Sequence, residues 1–222
     1  MTWKQVFTSS VGKKLVMGFT GIFLILFLII HVGLNACIWA GDNGVMFTQA
    51  AHFMGGNWVP RVLEIGLFAG LLLHIIQGYM LSFSNQSKRS QGYAVDFGNR
   101  GSKWYSRSMG LLGTIILLFL VVHISDFWLP NRVSQGFLLG PEINLFDKMR
   151  VEFSELWVVI LYVLGCLSLG YHLAHGFQSA FRTIGVHNKK YNTLLSTIGY
   201  AFAIIVPLAF AMMPVSFYLG WV

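Results

Sequence analysis

Five stretches of this chain carry no Asp, Glu, Lys or Arg for long enough to cross a lipid bilayer: 15–41, 65–87, 108–125, 156–181 and 191–222. A hydrocarbon core about 30 Å thick takes ~20 helical residues to span. Inside it every backbone polar group must be paired, which leaves only helices and closed barrels. Barrel strands would be shorter and would alternate apolar with polar residues; these runs do neither. The expected fold class is therefore all-α, an integral membrane bundle of five transmembrane helices in a single domain, 1–222. Spans are expected near 15–40, 62–84, 107–129, 155–182 and 192–219.

Composition agrees. Only 10% of the 222 residues are charged and 55% are hydrophobic, against roughly 25% charged in a soluble domain. The formal net charge of +7 does not point to nucleic acid, because the basic residues sit in short segments between apolar runs. The two cysteines, Cys37 and Cys166, both lie within apolar runs. They exclude a disulfide framework, an iron–sulfur cluster held by this chain alone, and a CxxCH haem attachment. The first apolar run is too long for a signal peptide core, and Leu34-Asn35-Ala36-Cys37 fits a lipoprotein cleavage box poorly at Asn35.

Orientation follows from the basic residues. Lys4, Lys13, Lys14, Lys88, Arg89, Arg100, Lys103, Arg107, Arg182, Lys189 and Lys190 fall on one side, and only Arg61, Arg132, Lys148 and Arg150 on the other. The N-terminus is expected in the cytoplasm and the C-terminus outside.

Five of the seven histidines fall within the spans: His31, His74, His123, His172 and His175. A polar side chain in hydrocarbon is costly and is a functional candidate by default. At 1.5 Å per residue, His31 and His123 both lie ~25 Å from the inner edge, and His74 and His172 ~15 Å from it. The four sort into two layers, one pair per layer, each pair on two helices. That arrangement suits two stacked haems, each held by two axial imidazoles within a helical bundle. Zinc would want four ligands, and a proton pathway would want interspersed acids; neither is offered. His175, i+3 from His172, competes for the same position. His172 matches the depth of His74 and has Gly176 at i+4, which leaves His175 as a neighbour of the ligand or a propionate partner. Gly70 and Gly78 flank His74 at i−4 and i+4 and share its face. They make room for a macrocycle or for close helix packing of the Gly66-xxx-Gly70 kind.

Together these features resemble the cytochrome b membrane anchor of succinate:quinone oxidoreductases and fumarate reductases, in its single-chain, five-helix, dihaem form. Gly21-Ile22-Phe23-Leu24 followed by His31-Val32-Gly33-Leu34-Asn35 is similar to that family's first helix. Ala50-Ala51-His52-Phe53-Met54 and Arg61-Val62-Leu63-Glu64-Ile65 are similar to its outer loop and second-helix start. His74-Ile75-Ile76-Gln77-Gly78 and His172-Leu173-Ala174-His175-Gly176 resemble its HxxxG ligand motifs, and His123 falls at its third-helix ligand. The resemblance implies two haem b groups, on His31 with His123 and on His74 with His172. It also implies a flavoprotein and an iron–sulfur partner on the cytoplasmic side, menaquinone as the quinone, and residence in a bacterial cytoplasmic membrane. The presence of His175, where other members often have a small or amide residue, is a departure.

Inner-side Lys103, Arg107 and Arg182 are candidates for the haem propionates or for lipid phosphates. A quinone site needs protons at a wet membrane edge beside a haem. The outer edge offers His52, Arg61, Glu64, Asp126 and Trp128; the inner edge offers Trp104, Ser106 and Arg107. The 88–107 loop is a candidate docking surface, and His187 an inner-loop residue. The competing expectations are a dihaem anchor of another respiratory complex, such as a hydrogenase or formate dehydrogenase, and a haem-free transporter with structural histidines.

Overall fold

A computed structural model describes residues 2, 7–87, 103–135, 142–186 and 188–222. Trp3, Lys4, the 88–102 part of the proposed docking loop and His187 lie outside these. Helix α1 (Ser10–Asn35) starts where the Ser9 hydroxyl accepts the Gly12 amide at 3.0 Å, one of the four amides a helix start leaves unpaired. It tightens into a 3-10 turn, Ala36–Ala40, followed by α2 (Val45–Gly56) and α3 (Trp58–Ser87). A short α4 (Trp104–Arg107) leads into α5 (Met109–His123). A π-helical turn, Ile124–Trp128, and α6 (Leu129–Ser134) continue α5. Helix α7 (Leu145–Glu152) is capped by the Asn144 side chain, which accepts from the Phe146 and Asp147 amides. Helices α8 (Leu156–Thr183) and α9 (Lys189–Tyr218) complete the chain.

Five of these helical stretches are long and apolar enough to cross a membrane: Ser10–Ala40, Trp58–Asn85, Met109–Ser134, Leu156–Thr183 and Lys190–Tyr218. The chain is a multi-pass membrane protein. The third stretch runs beyond the expected end near 129. Pro130 directly follows the π-turn, where the Leu129 N–H bonds the Ile124 carbonyl five residues back, and this wider turn carries the helix past a residue that has no N–H to donate. Asp126, one of the outer-edge quinone candidates, thus lies within a continuing helix.

Helix α8 is the hub, packed against α9, α5 and α1, and it contributes nine buried residues. Its Ser168 hydroxyl donates to the Leu112 carbonyl of α5 at 3.0 Å. Gly170 lets α8 close on the Ala203 carbonyl of α9, which a Cβ would approach to 3.1 Å. That carbonyl lacks its usual amide partner because residue 207 is proline. Between α3 and α5, Thr114 donates to the Gly110 carbonyl, so the Tyr79 hydroxyl donates to Thr114 at 2.7 Å. Large apolar side chains on α1, α3 and α5, among them Phe19, Leu26, Leu63, Ile65, Leu118 and Val121, stay exposed. A water-facing surface would not carry them so densely; a lipid-facing one does.

Helices α2 and α7 cover one end of the bundle, hereafter the capped end. Ile38, Phe47, Phe146, Phe153, Tyr162 and Phe217 form the main core there. Gly44 (φ 81°) is packed directly under the Phe146 ring. Both the left-handed backbone and the ring exclude a side chain at that turn. The opposite end carries Trp104, Arg107 and Arg182 and is hereafter the basic end.

Candidate functional site

Four helices bring four histidines together as two pairs. His31 of α1 meets His123 of α5 with ring centroids 5.9 Å apart. His74 of α3 meets His172 of α8 at 6.2 Å. The ring facing His74 is that of His172, while His175, one turn further, lies within the field of Arg182.

The two pairs have different walls. Phe27 stacks on His31 at 5.0 Å, and Phe210 approaches the same ring at 5.4 Å. Phe119 stacks on His123 at 5.6 Å, and Tyr162 approaches it edge-on at 5.9 Å. The His74–His172 pair sits instead among small and polar residues. A Cβ at Gly21 would meet His74 Cε1 at 3.7 Å, and one at Gly113 would meet His172 Cε1 at 3.9 Å. Thr20 Oγ1 lies 3.1 Å from His74 Nδ1.

The glycines singled out in the sequence serve different neighbours. A Cβ at Gly176 would touch His172 itself, one at Gly70 would press on Phe23 at 3.1 Å, and one at Gly78 would meet the Met17 methyl at 3.7 Å. Gly66 has no neighbour within 4 Å, so the Gly66-xxx-Gly70 element packs only at its second glycine.

The pairs fit axial ligation of haem iron. Metal–imidazole bonds of about 2 Å on both sides of one metal place the ring centres about 6 Å apart, as both pairs stand. Among the described residues no three His, Cys, Asp or Glu converge. Each pair is a two-donor set, which suits a metal whose macrocycle supplies the other four donors. His123 Nδ1, His172 Nδ1 and Gln77 Oε1 are buried without a hydrogen-bond partner. These are costly orphans in a core that had only to pack.

At the capped end the structure divides the five outer candidates into two groups. Glu64 accepts from Trp128 Nε1 at 2.7 Å and from Arg132 Nε at 2.9 Å, while Arg132 Nη2 holds its second oxygen. Arg61 lies 3.6 Å from the same carboxylate and donates to Gln135 Oε1 at 2.6 Å. Gln135 in turn donates to Glu142 at 3.0 Å, and Glu142 contacts His52 Nδ1 at 3.1 Å. His52, Arg61, Glu64 and Trp128 thus belong to one network. Asp126 stands apart and accepts from the Tyr162 hydroxyl at 2.9 Å. Tyr162 itself touches His123, which places an O–H group between the histidine pair and the acid. The sequence assigned no site role to Arg132, Gln135, Tyr162, Thr20, Gly21 or Gly113.

At the basic end Trp104 packs on Tyr171 at 4.9 Å, and the Tyr105 and Tyr200 hydroxyls lie 3.2 Å apart. That hydrogen bond pushes the Tyr105 phenol up to about 12. Arg107 ends α4 and Arg182 lies in the last turn of α8, where cations complement the helix dipole.

The chain is 27% identical over 173 residues to the succinate dehydrogenase cytochrome b558 subunit of Bacillus subtilis (strain 168), covering 78% of each chain. The chain is a relative of that subunit. The match supports the sequence's resemblance to the cytochrome b anchors of succinate dehydrogenases, and the five apolar spans agree with a membrane-embedded subunit. No family model matches, and no solved structure matches.

Proposed function

We propose that this chain is the membrane anchor and electron-transfer subunit of a succinate dehydrogenase or fumarate reductase. It would bind two b haems through His31 with His123 and His74 with His172, and pass electrons between an iron–sulfur subunit and menaquinone in a bacterial cytoplasmic membrane. The observation that carries this reading is the meeting of four histidines from four helices in two pairs at iron-bridging distance. The relative's name favours succinate dehydrogenase over other respiratory partners.

When bound, each haem supplies a one-electron carrier in a low-dielectric setting. The residues here do the rest. Phe27, Phe119 and Phe210 exclude water from the capped-end pair. Ser168, Thr114 and Tyr79 pin α8, α5 and α3 at their hydrogen bonds, which fixes the distance between the pairs. Arg107, Arg182 and His175 are the groups proposed to neutralise propionates at the basic end, which the excess of basic residues places in the cytoplasm.

Quinone reduction takes up two electrons and two protons. We assign it to the capped end, where Asp126 and Tyr162 supply oxygen groups beside His123. Both Glu64 oxygens are already occupied as acceptors, so the network of Glu64, Arg61, Trp128 and His52 is the wall of that site, and Asp126 its proton-exchanging group.

The test is purification of the complex through a tag on this chain, with its partners identified by mass. Co-purification of a flavoprotein and an iron–sulfur protein, with succinate-dependent quinone reduction, is expected. A hydrogenase or formate dehydrogenase catalytic subunit in their place contradicts the assignment.

A further inference from the structure

His74 has a hydrogen-bond environment shared by none of the other three histidines proposed as ligands. Thr20 Oγ1 lies 2.7 Å from the Val16 carbonyl and 3.1 Å from His74 Nδ1. A hydroxyl has one proton. A threonine within a helix gives it to the i−4 carbonyl, and the short contact to Val16 shows that commitment. Towards His74 the Thr20 oxygen can then only accept. The proton on the imidazole is thereby fixed at Nδ1, and the lone pair at Nε2.

The other rings lack this feature. His123 Nδ1 and His172 Nδ1 are buried without a partner. His31 Nδ1 faces the Asn35 amide nitrogen at 3.3 Å, a donor that also serves the His31 carbonyl at 2.8 Å. The residue after Thr20 completes the arrangement. Gly21 stands against His74 Cε1, where a Cβ would come within 3.7 Å, and leaves the ring room to settle on α1.

We propose that Thr20 is a positioning residue for the haem of the basic end: its hydroxyl oxygen accepts the His74 Nδ1 proton, selects the Nε2-ligating tautomer and sets the electron density of that one ligand. A hydrogen bond from Nδ1 makes the opposite nitrogen more basic, and a more basic axial ligand favours ferric over ferrous iron. Thr20 therefore holds the potential of this haem down and leaves the other unaffected. This inference rests on the dihaem reading above.

The experiment is a redox titration of the purified complex, following both haems optically and by their low-spin ferric signals, for the unsubstituted protein, Thr20→Val, Thr20→Ser and His74→Ala. Valine keeps the branched shape and removes the acceptor; serine restores it. In Thr20→Val the expected result is a rise of one midpoint, that of the haem missing from His74→Ala, with an altered low-spin signal for the same haem. The second midpoint stays in place, and Thr20→Ser behaves as the unsubstituted protein. Where Thr20→Val does not assemble, Thr20→Ala is read for the same upward shift. Two unchanged midpoints, or two that move together, overturn the role of Thr20 while leaving the dihaem reading intact. No haem in the unsubstituted complex overturns both.

Discussion

Arg132 is 7% exposed and holds both carboxylate oxygens of Glu64, one through Nε and one through Nη2. The pair joins the start of α3 to α6 and forms the wall of the capped end. Removing Arg132 leaves Glu64 with Arg61 at 3.6 Å and the Trp128 Nε1 donor, so the loss falls at the low end of the about 3–5 kcal/mol that breaking a buried pair costs. Arg132→Met is expected to destabilise the complex by about 3 kcal/mol, with much of that recovered in the Glu64→Gln/Arg132→Met double variant. A double-mutant cycle on thermal inactivation in detergent checks this, and additive losses would count against the pair.

Gly165 lies beneath Phe119, and a Cβ there would come within 2.6 Å of the ring. Phe119 stacks on His123. Alanine gains up to about 1 kcal/mol of helix propensity over glycine, but overpacking costs about 1–3 kcal/mol, so Gly165→Ala is expected to be net destabilising. Its effect falls on the haem of the capped end, read as a changed low-spin signal for that haem alone. Gly66, with nothing within 4 Å, is the control: Gly66→Ala leaves both signals unchanged.

Tyr162→Phe removes the one hydroxyl that reaches Asp126 from α8. A single hydrogen bond is worth about 1 kcal/mol, so assembly and haem content are expected to persist. Quinone reduction falls at least tenfold in Asp126→Asn and less in Tyr162→Phe. Full turnover in Asp126→Asn would move the proton exchange elsewhere.

His175→Ala is expected to keep both haems and His172→Ala to lose one, since the ring that meets His74 belongs to His172. Pyridine haemochrome quantitation of the two variants distinguishes them. Loss of a haem in His175→Ala alone reverses the assignment.

The spans and the two histidine layers could be read from the sequence because a membrane turns position along a helix into depth. His31 and His123, or His74 and His172, can be matched by counting from the flanking charges. What depth does not give is rotation about the helix axis. Thr20, Gly21, Gly113 and Tyr162 matter because they face particular rings on other helices, and apolar runs that are hydrophobic all round carry little signal of which side faces in. Arg132 and Gln135 were missed for another reason: the third span was expected to end near 129, and the π-turn that carries it further has no simple sequence mark. Helix α7 did have one, since Asn144 followed three residues later by Asp147 is a helix-start pattern.

The proposed function requires two haems held by the two histidine pairs. The most direct measurement is the dithionite-reduced minus oxidised spectrum of the purified complex, with haem quantified per chain, for the unsubstituted protein and for His31→Ala and His74→Ala. Two b haems per chain are expected, falling to one in each variant, with the two variants retaining spectrally different haems. A complex without a Soret band, or one whose haem content is indifferent to both substitutions, contradicts the proposed function.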